Sequence, residues 1–330
     1  MKASSAIKSK YRINFIIPYF GHFPSYFQLF LNSCERNPDI DWTIVTDNKK
    51  EYRYPENVHI VYSQFSEVQE RIRRGFVSLG IKPYIEEVYK LCDYKPTYAY
   101  IFPELVEGYD YWGYCDVDVI YGNIRKFITD EKIEQYPKIG ILGHLSIIRN
   151  QKPYNLMFMR EYNGELLYKK VLSSEGNYNF DETFLDKPNI NDIFEANGIE
   201  VLDLGKYIAD IHPNSTVFRC VSGAEREKVK RAFFVWNKGR LFRIYVNGRR
   251  RNKPQTREFL YIHLQKRKMK MKVNDDVELY KIIPNSFEDF VNRGTLEDYH
   301  KEKLWNPNLQ YFRIRAKNLI TKLKRRFALT

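Results

Sequence analysis

What the chain lacks narrows it first. Its four cysteines (Cys34, Cys92, Cys115 and Cys220) stand far apart, with no C-x-x-C pair among 330 residues. That spacing offers neither a zinc knuckle nor a disulfide framework, and reduced thiols are the default. No stretch approaches the ~20 apolar residues that a membrane span requires. The apolar run at residues 13–20 is short, is interrupted by Asn14 and Pro18, and reads as a first core strand, not a signal peptide. Internal repeats and low-complexity linkers are also missing.

What is present has globular proportions: 43% hydrophobic and 29% charged residues. The length suits one large α/β domain with an appendage. Tyrosine (26) and phenylalanine (22) are abundant, and such side chains grip flat or amphipathic ligands. A net charge of +13 points to an anionic partner. Over half of that excess sits in residues 313–326, as seven basic residues (Arg313, Arg315, Lys317, Lys322, Lys324, Arg325, Arg326) with no acidic one. Between them Phe312, Ala316, Leu319, Ile320, Leu323 and Phe327 recur at helical spacing. Two readings stand: a helix lying in an anionic membrane surface, or one packed on its own domain with solvated cations.

Strand-like runs at 11–18, 42–46, 58–62 and 109–115 alternate with helical patterns at 25–37 (capped by Ser25), 65–74 and 97–106. This order predicts an α/β fold with a mostly parallel sheet covered by helices, whose ligands bind beyond the carboxyl ends of the strands. Further on, 138–148 suggests a strand, 154–168 and 191–196 helices, 233–246 a hairpin about Asn237-Lys238-Gly239, and 258–264 another strand after a basic loop at 249–253. Residues 1–272 read as one catalytic domain, and 273–330 as a helical appendage ending in the basic tail.

The most informative stretch, Tyr-Trp-Gly-Tyr-Cys-Asp-Val-Asp-Val-Ile-Tyr-Gly-Asn at 111–123, runs an apolar strand into Asp116 and Asp118. Carboxylates at i and i+2 of an extended chain share a face, roughly 7 Å apart. Such a pair is costly to bury unless a cation neutralises it, and Mg²⁺ or Mn²⁺ held this way commonly shares its shell with a substrate phosphate. Lys95, just before a helix, has the reach for a diphosphate, with Asp93 fixing it; the alternative is helix-entry charge on a solvated surface. His263 ends a hydrophobic strand and precedes Lys266-Arg267-Lys268. It is either a structural histidine or a third metal ligand, with Lys266 and Arg267 neutralising phosphate oxygens. Asp181 and Glu182 follow a Gly/Asn/Ser-rich loop and suit either a general base or the start of a short helix. Asp210-Ile211-His212-Pro213 is a weaker signal, with His212 read as structural.

Taken together, these pieces resemble nucleotide-sugar-dependent glycosyltransferases of the GT-A fold. They are similar, more narrowly, to bacterial proteins of unassigned function beside capsule and lipopolysaccharide genes. The resemblance rests on Ile16-Ile17-Pro18-Tyr19-Phe20-Gly21, Thr46-Asp47, the stretch from Lys90 to Pro96, Cys115 to Gly122, Phe180-Asp181-Glu182 and His263 to Met269, across residues 11–272. It implies that Pro18, Tyr19 and Asp47 line a nucleoside pocket and that Asp116 faces ribose or metal. Asp118 and His263 would hold Mn²⁺ or Mg²⁺. Lys95 stands where related enzymes often carry an arginine, and Asp181 and Glu182 where the acceptor-side acid falls.

The implied reaction moves a sugar from a nucleotide-diphosphate sugar, a UDP-sugar favoured, to a saccharide or lipid-linked saccharide in surface polysaccharide synthesis. The implied location is the cytoplasm, on the inner face of the membrane. Two rival readings use the same residues. A nucleic-acid-binding protein would exploit the tail, Arg249-Arg250-Arg251 and the tyrosines, but no nucleic-acid module is recognisable and no such partner is expected. A metal-dependent phosphodiesterase would use Asp116, Asp118 and His263, but commonly gathers more His and Asp ligands.

Overall fold

The computed structural model describes residues 9–183, 187–212, 214–216, 218, 231–246, 253–291, 299, 302 and 306–327. Cys220 and most of the basic loop at 249–253 lie outside them. The strands are β1 (Ile13–Pro18), β2 (Ile40–Thr46), β3 (Val58–Tyr62), β4 (Tyr111–Cys115), β5 (Val119–Tyr121), β6 (Lys138–Leu142), β7 (Leu145–Arg149) and β8 (Val201–Leu202). They continue as β9 (Ile208–Asp210), β10 (Arg231–Asn237), β11 (Arg240–Val246), β12 (Gln255–Phe259), β13 (Tyr261–His263), β14 (Lys270–Met271), β15 (Leu279–Ile283) and β16 (Ser286–Asp289). The chain forms two compact units: Met1–Phe23, Asn37–Asp116 and Ile128–Leu204, then Pro24–Arg36, Val117–Phe127 and Gly205–Thr330.

The first unit is built on a seven-stranded sheet of order β3-β2-β1-β4-β7-β6-β8. Its β3-β2-β1-β4 half is parallel, and β7 runs antiparallel to both β4 and β6. This is the predicted α/β class. β1 and β2 read as nearly unbroken apolar runs because a parallel sheet is covered on both faces. Asn14, buried within β1, is tolerated because its amide donates to the Leu105 carbonyl (2.8 Å) and its oxygen accepts from Thr43 Oγ1 (3.1 Å). Gly113 is required in β4, since a Cβ there would run into the Phe15 ring and the Ser146 carbonyl. Because β1, β2 and β4 are parallel, their carboxyl ends place Gly21, Asp47 and Asp116 along one sheet edge.

Two expectations for this unit fail locally, and the strand expected at 138–148 is met by two. Residues 138–148 double back as β6 and β7, with only Gly143-His144 between the paired Leu142 and Leu145. Residues 154–168 do not form one helix: Asn163 and Gly164 take positive φ (52° and 79°), and helix resumes only at Leu167–Ser173. Asn-Gly is a strong turn signal that outweighs the apolar spacing around it. The 97–106 helix breaks into the single turn Tyr98–Ile101 and the 3-10 turn Pro103–Leu105, because Pro103 lacks the N–H that would continue it.

The second unit has a six-stranded sheet, β12-β11-β10-β15-β16-β14, and a three-stranded one, β5-β13-β9. The hairpin expected about Asn237 is present: Asn237 pairs with Arg240 across Lys238 (φ 46°) and Gly239 (φ 84°), as a two-residue primed turn requires. The run at 258–264 is two strands, because the chain leaves one sheet after Phe259 and enters the other at Tyr261. Gly122 permits this, since a Cβ there would lie 2.6 Å from the Phe259 carbonyl. Ser25 does not cap the helix Phe27–Glu35; its hydroxyl donates to the Met269 carbonyl (3.2 Å). Residues after 272 contribute β15 and β16 to the larger sheet before the C-terminal helix Leu309–Phe327. Among the described residues no helix is long and apolar enough to cross a membrane.

Candidate functional site

At the sheet edge of the first unit, Asp47 ties two loops together. The Gly21 N–H donates to its Oδ1 (2.9 Å), and the Asn48 amide donates to the Gly21 carbonyl (2.8 Å). Pro18 ends β1, and the next residue, Tyr19, stacks on Phe23 with ring centroids 4.9 Å apart, while Phe23 meets Tyr52 edge-on. The edge thus carries aromatic faces beside a half-buried carboxylate.

The next cluster centres on Lys95, which is buried. Its Nζ donates to Asp116 Oδ1 (2.8 Å) and the Gly143 carbonyl (2.9 Å), and pairs with Asp181 Oδ2 (3.0 Å). Burial pulls the lysine down, but the charges of Asp116 and Asp181 outweigh it and hold the ammonium well above its ordinary value. Burial pushes Asp181 up to about 7, Lys95 pulls it back, and the neighbouring charge of Glu182 adds to the rise. One lysine shared with Asp116 does not offset the burial of Asp181, which carries the shortfall. Glu182 accepts the Gly143 N–H (3.3 Å), and a Cβ on Gly143 would overlap the Asp181 carboxylate.

Asp93 does not fix Lys95. It pairs with Lys90 (2.8 Å) and accepts the backbone N–H groups of Tyr178 (2.9 Å) and Phe180 (3.0 Å). Lys90 also donates to the carbonyls of Val171 (2.9 Å) and Gly176 (2.7 Å). This buried pair anchors the loop that delivers Asp181. The signal was available: residues three apart share a helix face, whereas Asp93 and Lys95, two apart, do not.

In the second unit, β13 lies between β5 and β9, and the register sets His263 beside Asp210. His263 Nδ1 is 2.9 Å from Asp210 Oδ1, and Nε2 is 3.3 Å from Asp118 Oδ1. Gln265 donates to the same Asp210 oxygen (2.5 Å). Burial would lower the imidazole, but Asp118 and then Asp210 dominate and push it up to about 10. Gln265 and Lys266 both take positive φ (50° and 57°), costly for side-chain-bearing residues, and the Lys266 N–H thereby reaches Asp118 Oδ2 (2.6 Å). Asp210 is the residue that sequence reasoning undervalued.

Arg267 does not turn toward a phosphate. Its guanidinium is buried on Asn285 Oδ1 (2.9 Å) and the carbonyls of His212 (2.5 Å) and Ser215 (2.9 Å), and burial draws it down to about 10. Lys266, by contrast, has an exposed side chain.

The donor set at His263 fits a divalent cation. Asp210 holds Nδ1 and thereby directs Nε2 toward Asp118, the carboxylate–histidine arrangement that orients imidazole ligands in metal centres. Oxygen with imidazole nitrogen suits Mn²⁺ better than Mg²⁺. Asp116 precedes Asp118 by two residues in the chain, but in the first unit its partner is Lys95.

Fold and residues define an α/β protein with carboxylates at strand ends and a buried histidine between Asp118 and Asp210. The chain belongs to a family of unknown function, DUF6625, whose model matches residues 15–291. No curated protein sequence matches it. Among solved structures, it is similar to the galactosyltransferase LgtC in complex with donor and acceptor sugar analogues. Identity there is 11% and the TM-score 0.33, with 61% of this chain and 76% of that chain covered. Mouse xyloside xylosyltransferase 1, in its apo form, gives 8% identity and a TM-score of 0.36, with 61% and 88% covered. At such scores the functional reading rests on the residues themselves.

Proposed function

We propose that this protein is a metal-dependent glycosyltransferase. It moves a sugar from a nucleotide-diphosphate sugar, a UDP-sugar favoured, to a saccharide or lipid-linked saccharide acceptor in surface polysaccharide synthesis, within the cytoplasm. The observation that carries this reading is His263, held by Asp210 at 2.9 Å and directed at Asp118 at 3.3 Å, where a D-x-D sequence ends.

Asp118 and His263 would hold Mn²⁺ or Mg²⁺, with Asp116 contributing through its place in the D-x-D. When bound, the cation neutralises charge on the departing diphosphate. Pro18 and Tyr19 bracket the nucleoside, and Asp47 accepts a hydrogen bond from base or ribose. Lys95 orients Asp116 and, through its charge, favours the departing diphosphate. Asp181, with its affinity for a proton raised to about 7, takes the acceptor hydroxyl's proton, with Glu182 beside it. Asp93 and Arg267 have no direct part.

Thermal-shift measurements with UDP, GDP, CMP and their sugars, with and without Mn²⁺, test this. One nucleotide diphosphate should stabilise the protein only when Mn²⁺ is present. Asp118→Ala should abolish that dependence, and Asp181→Ala should leave nucleotide binding intact. Stabilisation by oligonucleotides alone, or an Asp118→Ala protein that still binds nucleotide with Mn²⁺ like the parent, overturns the assignment.

A further inference from the structure

We infer that the C-terminal helix, Leu309–Phe327, is a docking surface for an anionic lipid bilayer, lying flat with its apolar stripe among the headgroups. At the 3.6-residue helical repeat, the positions of Leu309, Phe312, Ala316, Leu319, Ile320 and Leu323 fall within an arc of about 100°. All of them are exposed: Leu309 at 77%, Phe312 and Leu319 at 59%, Ile320 at 53% and Leu323 at 43%. Six of the seven basic positions flank this arc, and the seventh, Arg325, falls across the axis from it. Arg313, Lys317 and Lys324 border one edge, and Arg315, Lys322 and Arg326 the other, with no acidic residue in the helix.

The helix is attached to its own unit by its opposite side. Ile314, only 4% exposed, lies across the axis from the stripe. Also on that side, Asn318 donates to the Asn214 carbonyl (2.9 Å), and Lys317, between that side and the stripe, reaches the Asn214 side chain (3.3 Å). Packing within the unit therefore does not consume the stripe.

Charge selects the occupant. A second copy docking stripe to stripe would oppose two sets of like charges at close range. A nucleic acid would neutralise the cations but leave five large apolar side chains in water. An anionic bilayer accepts both features at once: apolar side chains enter the acyl boundary while flanking lysines and arginines reach the headgroups. The inference needs nothing from glycosyl transfer, so either can fail alone.

The test is co-sedimentation of the full chain with phosphatidylcholine vesicles, alone and containing about 30% phosphatidylglycerol. Binding should be at least ~10-fold stronger to the anionic vesicles and should weaken steeply as salt rises. The triple variant Phe312→Gln, Leu319→Gln, Ile320→Gln should lose at least ~10-fold in vesicle binding. Its melting temperature should not change, because the Ile314 side is untouched. Parent-like binding by the triple variant, equal binding to neutral vesicles, or capture of oligonucleotides with no vesicle binding overturns the inference.

Discussion

Two clusters in this protein have the same inventory, one base between two carboxylates, and differ in which group changes its protonation near neutral pH. Around Lys95, the carboxylate Asp181 is pushed up to about 7 while the lysine keeps its proton. Around His263, the base itself is the altered group, pushed up to about 10 by Asp118 and Asp210. The difference lies in where each base starts. A lysine is already protonated at neutral pH, so adding carboxylates cannot charge it further, and the unmet burial cost falls on an acid. A histidine begins near neutrality, so two carboxylates convert it to a cation. The first arrangement makes a carboxylate suited to accepting a proton near pH 7. The second makes a pair of negative oxygens whose present counter-ion, an imidazolium proton, is one a metal would displace.

Removing the lysine breaks this comparison most severely. Lys95→Met strands Asp116 and Asp181 without their shared cation, and the loss should be about 3 kcal/mol of unfolding free energy, read by urea denaturation. Next comes the histidine's support. Asp210→Asn should weaken Mn²⁺ binding by about 10- to 100-fold, measured by calorimetry on the full chain, while leaving Lys95 and its partners unaffected.

The mildest and most discriminating test is pH. Asp181 and His263 both bind protons more tightly folded than unfolded, so both contribute stability that declines as pH rises, but in separate windows. For Asp181 the loss runs from its ordinary value of 3.8 up to about 7. For His263, in metal-free protein, the contribution is complete below 6.5 and is lost through about 10. Asp181→Asn should flatten the acid window and His263→Gln the alkaline one, in denaturation midpoints followed against pH. Turnover of the parent, with Asp181 as base, should rise as pH passes about 7. A single shared window for both variants would show that the clusters do not titrate as argued.

Much of the first unit was legible because its signals are local. The runs that became β1 to β4 are largely apolar, and β2 and β4 lead directly into Asp47 and Asp116. Lys238-Gly239 marks its hairpin turn by backbone preference alone. The departures are also local in origin: Asn163-Gly164 and Pro103 are breakers that outweigh the helical spacing around them. Lys90 and Asp93 announce their pairing by a three-residue interval.

Composition and spacing alone determined the alternation of strands and helices, the carboxylates at strand ends, and the cationic amphipathic helix, because each follows from how neighbours along the chain orient. Only tertiary structure decided that Asp210 stands beside His263, that Arg267 turns inward, and that Lys95 is shared by Asp116 and Asp181. It also decided that Ile314, and not the apolar stripe, faces the protein. The physical reason is common to all four. Sheet register and packing bring together groups far apart in sequence, and burial then sets which of them keeps a charge.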